Sequence, residues 1–415
     1  MDDTDLPSQL RWDRRHRGGL GLAALATASF VYVTAETLPV GLLPQLSAGL
    51  HVRVGAIGLL VTIYAAVAGL TAIPVTVLTS RLPRRRVVVG AVALLALSQL
   101  AMALAPSYPV VLAARVVCAF AHGVFWSVLA SVAGRLVAPG RAGRATAIVF
   151  TGNSLALVLG TPLASALGEV LGWRAATAVV GAAAAASVAA VRATLPPLPS
   201  DTPARGLRTR IAEIPAALRS RSLIAVCAVT VLVVIGHFTA YTYIAVLVRR
   251  DAGLTGLALS VVLLTYGVAG VAGIGLTGWA TDRRPRLAGA GCAVTLTVAL
   301  AALSTLGPGS AGFTVAAIVL WGAAFTAIPV CLQSAVLRVA PQSADTASAL
   351  YVVTFQVGIG GGALAGSILV DAGQLSALPV VGMALAAVGT VILLMARRAF
   401  PGRPARPARC QEGER

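Results

Sequence analysis

Twelve apolar runs, separated by short polar segments, account for most of this 415-residue chain. They fall at 20–46, 54–79, 87–105, 109–134, 143–168, 174–195, 222–248, 255–280, 287–306, 311–337, 344–370 and 374–396. About 20 helical residues, rising 1.5 Å each, cross the hydrocarbon core of a bilayer. Charged residues make up 11% of the chain, well under the roughly 25% usual for a soluble globular protein. The predicted fold class is therefore an all-α polytopic membrane protein with twelve transmembrane helices.

The net charge of +18 raises the question of a nucleic-acid partner. Its distribution argues for topology instead. All 32 basic residues are arginine. With the N-terminus inside, 27 of them fall in segments facing the cytoplasm, and only Arg53, Arg174, Arg249 and Arg250 face outward. Arginine retained on the cytoplasmic side is the usual orientation signal of membrane helices. Both termini are thus expected in the cytoplasm, and no nucleic acid is expected as a partner. The remaining arginine, Arg115, lies inside an apolar run.

Residues 1–19 form a polar cytoplasmic tail. The run that follows is too long for the core of a signal peptide and is read as a retained span. Residues 196–221 divide the spans six and six, giving an N-terminal bundle at 20–195 and a C-terminal bundle at 222–398. Within this linker Leu207, Ile211, Ile214 and Leu218 recur at helical spacing among arginines, which predicts an amphipathic helix on the cytoplasmic membrane surface. Residues 399–415 are proline-rich and predicted to be a disordered tail. The five cysteines show no CxxC spacing, and no nucleotide, hydrolytic or metal motif is present. The expectation is no cofactor and no enzymatic activity.

A shift of 202 residues brings the two halves into register without gaps. Thr79-Ser80-Arg81-Leu82-Pro83-Arg84 falls on Thr281-Asp282-Arg283-Arg284-Pro285-Arg286, Ala138-Pro139 on Ala340-Pro341, and Tyr64 on Tyr266. A parallel six-helix repeat of this kind is an architecture of secondary transporters.

Four stretches then resemble the major facilitator superfamily, in its twelve-helix drug/proton antiporter branch. The turn after span 8, with Gly278, Asp282, Arg283 and Arg286, fits the G-x-x-x-D-R-x-x-R pattern. The first-half copy has Thr76 and Ser80 in place of Gly and Asp and keeps Arg81 and Arg84. Span 4 resembles the embedded-arginine pattern at Arg115. Span 5 resembles the antiporter motif at Ala156, Gly160, Thr161 and Pro162, with the proline displaced by one position. Gly172-Trp173-Arg174 and the Glu36–Pro44 stretch complete the resemblance. It implies two pseudo-symmetric six-helix bundles and alternating access in a bacterial plasma membrane. It also implies a cytoplasmic conformational latch at Arg81, Arg84, Gly278, Asp282, Arg283 and Arg286.

Glu36 is a lone carboxylate in an apolar span, which costs about 2.5–3.5 kcal/mol on insertion scales. Counting helical rise puts Arg115 within reach of it, and Arg115, Ala119, His122 and Trp126 share one helical face. A Glu36–Arg115 pair reads either as a permanent brace or as a proton-coupled switch, because burial and neighbouring cations set when a carboxylate ionises. Glu36, Arg115 and His122 are the proton-coupling candidates. Tyr32, Tyr64, Trp126, Asn153, His237, Tyr241, Tyr266, Trp321, Phe325, Phe355 and Gln356 are the substrate-binding candidates, forming a mainly apolar pocket with few polar contacts. The expected function is export of small organic compounds by a monomer in exchange for protons, with membrane lipids as the other partners. An uncoupled or importing facilitator of a sugar, purine or amino acid is the alternative, and a non-transporting membrane sensor is a third reading.

Overall fold

The computed structural model describes residues 8–79, 81–138, 142–200, 219–340 and 344–400. No strand occurs among them. The first half contains α1 (Ser8–Gly41), α2 (Leu43–Leu50), α3 (Val54–Thr79), α4 (Arg84–Ala103), α5 (Tyr108–Gly134) and α6 (Ala142–Thr194). The second half contains α7 (Arg221–Tyr241), α8 (Ile244–Ala252), α9 (Gly256–Arg283), α10 (Pro285–Thr305), α11 (Ala311–Val339), α12 (Ala344–Asp371) and α13 (Ala377–Met395). Eleven helices among the described residues are long and apolar enough to cross a membrane.

One of the eleven makes two passes. α6 breaks at Gly172, where φ 80 and ψ 158 lie outside the helical region. Glycine adopts such a backbone without steric cost. Leu136, just before α6, and Thr194, its last residue, both approach Gly21, so α6 returns to the side from which it started. Twelve passes result.

The sequence expectation of unbroken spans 1 and 7 needs correction at their C-terminal ends. Each divides into a long helix and a short one, α1 from α2 and α7 from α8. Pro39 and Pro44 flank the first break. A proline contributes no backbone N–H to the helical ladder, so a break there is cheap. The two short helices occupy equivalent places in the repeat. The linker's predicted surface helix and residues 401–415 lie outside the described residues, while Ala399 and Phe400, predicted to begin the disordered tail, are buried and hydrogen-bonded to the Ala396 carbonyl.

The packing repeats as the sequence does. In the first half α1 packs on α6, α3 on α5, and α4 on α5 and α6. In the second half α7 packs on α12 and α13, α9 on α11, and α10 on α11 and α13. The bundles meet along two seams, α3 against α12 and α6 against α9. At one end of the bundles, Arg85 of α4 donates to the Arg192 carbonyl of α6, and Arg286 of α10 donates to the Leu394 carbonyl of α13. The two acceptors are one repeat apart. An arginine on the last turn of a helix satisfies carbonyls that the helix itself cannot. The start of the linker docks on the first bundle, where the Leu198 carbonyl accepts from the Arg84 backbone N–H (3.1 Å) and the Pro199 carbonyl from Arg135 (2.8 Å).

Close approach of helices in a bilayer depends on small residues at the contact. A Cβ added at Gly152 of α6 would sit 1.9 Å from the Ala26 carbonyl oxygen of α1. That neighbour is backbone and cannot rotate away. Gly152→Ala is expected to lower the thermal midpoint in detergent, at a cost of about 1–3 kcal/mol typical of overpacking. Leu163→Ala, on an exposed lipid-facing position, should leave the midpoint nearly unchanged.

Candidate functional site

The charged groups of the first bundle converge on one histidine. His122 of α5 is largely buried, and its Nδ1 lies 2.8 Å from the Tyr64 hydroxyl of α3 and 3.7 Å from Glu36 Oε2 of α1. The Glu36 side chain retains 24% exposure, so its carboxylate is not sealed in. Three helices thus supply a carboxylate, an imidazole and a phenol that meet at a single nitrogen.

Arg115 lies beside them and is 1% exposed. Its guanidinium does not reach the Glu36 carboxylate, which corrects the expected side-chain pair. Nη1 donates to the Ala35 carbonyl (2.8 Å) and Nη2 to the Glu36 carbonyl (3.0 Å). The physical reason is Pro39, which lies inside α1. In a regular helix the N–H of residue 39 would bond to the carbonyl of residue 35. Proline has no such N–H, so the Ala35 carbonyl is left without its helical donor. The guanidinium fork occupies that carbonyl and the next. Its Cζ also lies 4.3 Å from the Tyr64 ring centroid, within cation–π range. The carboxylate, relieved of Arg115, points towards His122.

Around this polar centre is an aromatic wall. Tyr32 is fully buried and stacks on Phe125 (4.6 Å between centroids), and its hydroxyl has no hydrogen-bond partner among the described residues. Trp126 lies edge-on to Phe125 (5.4 Å) and 6.2 Å from the His122 ring. Phe150 of α6 extends the wall beyond Trp126. Phe125 and Phe150 were not among the sequence candidates. Phe125 stands one residue before Trp126, and only the packing of α1 against α5 reveals that its ring carries Tyr32.

The second bundle holds a separate aromatic cluster. His237 of α7 stacks on Phe325 of α11 with ring planes 3° apart, and on Tyr241 at 4.8 Å. Tyr266 of α9 and Trp321 of α11 close the group, and Phe238 packs on its edge. The Trp321 indole N–H donates to His237 Nδ1 (2.8 Å). Indole nitrogen is a donor only, so His237 Nδ1 is an acceptor and the ring proton sits on Nε2. A doubly protonated His237 would break that bond. Protonated His122 keeps its partners, because Nδ1–H can face the carboxylate and the phenolic oxygen. The two histidines therefore differ in the proton states their surroundings accept.

The sequence candidates thus divide into two groups. Glu36, Arg115, His122, Tyr32, Tyr64 and Trp126 come together in the first bundle, and His237, Tyr241, Tyr266, Trp321 and Phe325 in the second. Across the bundle interface the Thr161 hydroxyl of α6 is 3.5 Å from the Tyr241 hydroxyl of the second group. Gln356 of α12 is buried against Gly69 of α3 at the other seam, and its Oε1 has no hydrogen-bond partner. Phe355 packs on Tyr351 (5.9 Å), and Asn153 is half-buried on α6; neither joins a cluster. Of the cytoplasmic latch candidates, Arg81 and Arg283 are exposed, Arg84 is buried, and Arg286 reaches α13 as described. Gly278 and Asp282 are helical in α9, and their side-chain surroundings lie outside the described residues.

Two six-helix bundles related by a parallel repeat, with ionisable residues held between spans, define a secondary transporter. Residues 25–363 match the Major Facilitator Superfamily, and the chain belongs to that family. It is a multi-pass membrane transporter. Two relatives are chloramphenicol efflux pumps of Mycobacterium tuberculosis. The chain is 42% identical to that of strain CDC 1551 / Oshkosh over 363 residues and to that of strain ATCC 25618 / H37Rv over 366 residues. Each alignment covers 84% of this chain and 86% of the relative. Among solved structures, the peptide transporter POT in complex with sulfate aligns with a TM-score of 0.76 at 13% identity, over 93% of this chain and 96% of that one. A POT variant in complex with alafosfalin gives 0.76 at 14% identity over the same shares. At such identity the likeness concerns the fold alone.

Proposed function

We propose that this protein exports small aromatic organic compounds of the chloramphenicol kind from the cytoplasm in exchange for entering protons. It works as a monomer in the lipid of the plasma membrane, with both termini inside. The observation that carries this reading is the convergence of Glu36 Oε2 and the Tyr64 hydroxyl on His122 Nδ1. A carboxylate and an imidazole at this spacing share a proton in two ways: as carboxylate with imidazolium, or as carboxylic acid with neutral imidazole. Tyr64 serves both, accepting from Nδ1–H in the first and donating to the Nδ1 lone pair in the second. A group that changes its proton inventory as α1 moves against α5 links proton entry to the rocking of the bundles.

Support for the substrate class comes from the two aromatic groups and from the names of the relatives. Stacked rings with few polar contacts favour flat apolar moieties. Rings as well buried as Trp321 and Tyr32 need to move apart before they admit one, so the substrate enters as the bundles rock.

The altered antiporter motif, with Thr161 before Pro162, favours a second reading as an uncoupled facilitator. Proteoliposomes separate the two. With chloramphenicol as probe, an imposed pH gradient is expected to drive accumulation against the substrate gradient, and a protonophore to abolish it. Flux that ignores the gradient would establish the facilitator instead.

A further inference from the structure

Two outward-facing carboxylates stand 202 residues apart, the period of the repeat: Glu169 near the outer end of the fifth span and Asp371 at the outer end of the eleventh. Each lies against the first turn of a helix in the opposite bundle. A Cβ built on Gly55, the second residue of α3, would fall 2.4 Å from Asp371 Oδ1 and 2.9 Å from Oδ2. A Cβ built on Gly256, the first residue of α9, would fall 3.2 Å from Glu169 Oε1. Val54 and Gly256, which open the two helices, are also one repeat apart. The first turn of a helix carries unbonded N–H groups and a partial positive charge, which favour a carboxylate. The N-cap of α9, Thr255, makes no side-chain cap of its own. The carboxylate that lies against this turn belongs to the other bundle.

We propose that Asp371 and Glu169 are paired external latches, each bundle's carboxylate lying against the positive first turn of a helix in the other and holding the outer side closed. The two contacts lie on the two seams along which the bundles meet, α3 with α12 and α6 with α9. Opening towards the outside separates both at once. Gly55 and Gly256 leave room for the carboxylates, and Gly256 also has φ +60, which other residues rarely adopt. The latches are not equivalent. Asp371 also faces Arg53 at 3.5 Å, and Ser367, one turn earlier on α12, donates to the Gly55 carbonyl (3.0 Å). Arg53 is 81% exposed, so that ion pair adds little in water. In both latches the carboxylate lies against a helix start.

The test reads conformation and rests on neither proton coupling nor substrate. Spin labels replace Leu104 at the outer end of α4 and Leu306 at the outer end of α10, both exposed, in a protein whose native cysteines are changed to serine. Their distance distribution reports how far the outer side is open. Asp371→Asn and Glu169→Gln are each expected to raise the ratio of open to closed molecules about two- to fivefold, and both together about three- to thirtyfold, the range for a carboxylate on an accessible helix N-terminus. Arg53→Ala should change it little. Glu169 is exposed, so its substitution tests the proposal even where Asp371→Asn weakens folding. The proposal is overturned if the double variant keeps the wild-type distribution, or if Arg53→Ala reproduces the whole effect of Asp371→Asn.

Discussion

Glu36→Gln is expected to abolish proton-driven accumulation while leaving substrate exchange intact. If one proton enters for each substrate molecule exported, a gradient of one pH unit is worth about 1.4 kcal/mol and sustains about a tenfold substrate gradient. Glutamine keeps the shape of Glu36, and its amide can donate to His122 Nδ1, but it cannot exchange a proton. The variant should sustain no gradient at any imposed pH difference. Counterflow, in which labelled substrate exchanges for unlabelled without net movement, should persist, because it needs the aromatic groups and the rocking motion only. Accumulation assays in proteoliposomes, with counterflow as the companion measurement, check both halves. A Glu36→Gln protein that accumulates substrate like wild type would remove Glu36 from the coupling step.

Arg115→Met is expected to lower both stability and transport, through the backbone of α1. The guanidinium supplies two donors to the buried α1 backbone: one to the Ala35 carbonyl that Pro39 leaves without its helical donor, one to the Glu36 carbonyl. Losing a charged donor to a buried acceptor costs about 1.5–3 kcal/mol. Arg115→Lys should recover only part of this, since one ammonium does not reproduce a planar fork on two adjacent carbonyls. The second-site variant Pro39→Ala discriminates. It returns an N–H at position 39, which can bond the Ala35 carbonyl directly. Pro39→Ala with Arg115→Met should therefore regain thermal stability without regaining transport, because the guanidinium beside Glu36 and Tyr64 is gone. Stability of Arg115→Met equal to wild type would mean that the freed carbonyl finds water or another donor and that Arg115 braces nothing.

Much of the candidate site was legible before any coordinates. Insertion cost singled out Glu36 and Arg115, and helical spacing placed His122 and Trp126 on the face of Arg115. The pairing within that set was not legible. A depth count treats residues as points on parallel rods, so it matched carboxylate to guanidinium by charge. It contained no term for a proline that frees a backbone carbonyl four residues earlier, and that carbonyl takes the guanidinium. Likewise, His122 and His237 look alike in sequence, each a histidine in an apolar helix. Their difference lies in what the neighbouring helices bring, Glu36 and Tyr64 in one case and the donor-only indole of Trp321 in the other.

The sequence by itself determined the number of passes, the twofold repeat and the family, because hydropathy and motif spacing are local or periodic properties that need no packing to be read. Only the tertiary structure decided which polar groups meet. It set Glu36 on His122 and Arg115 on the α1 backbone. It also brought Glu169 and Asp371 onto helix ends of the opposite bundle. Such contacts join residues up to 316 positions apart, as Gly55 and Asp371 are, and their partners are often backbone atoms that every residue carries. Residue type does not mark them, and the close packing of the helices selects them.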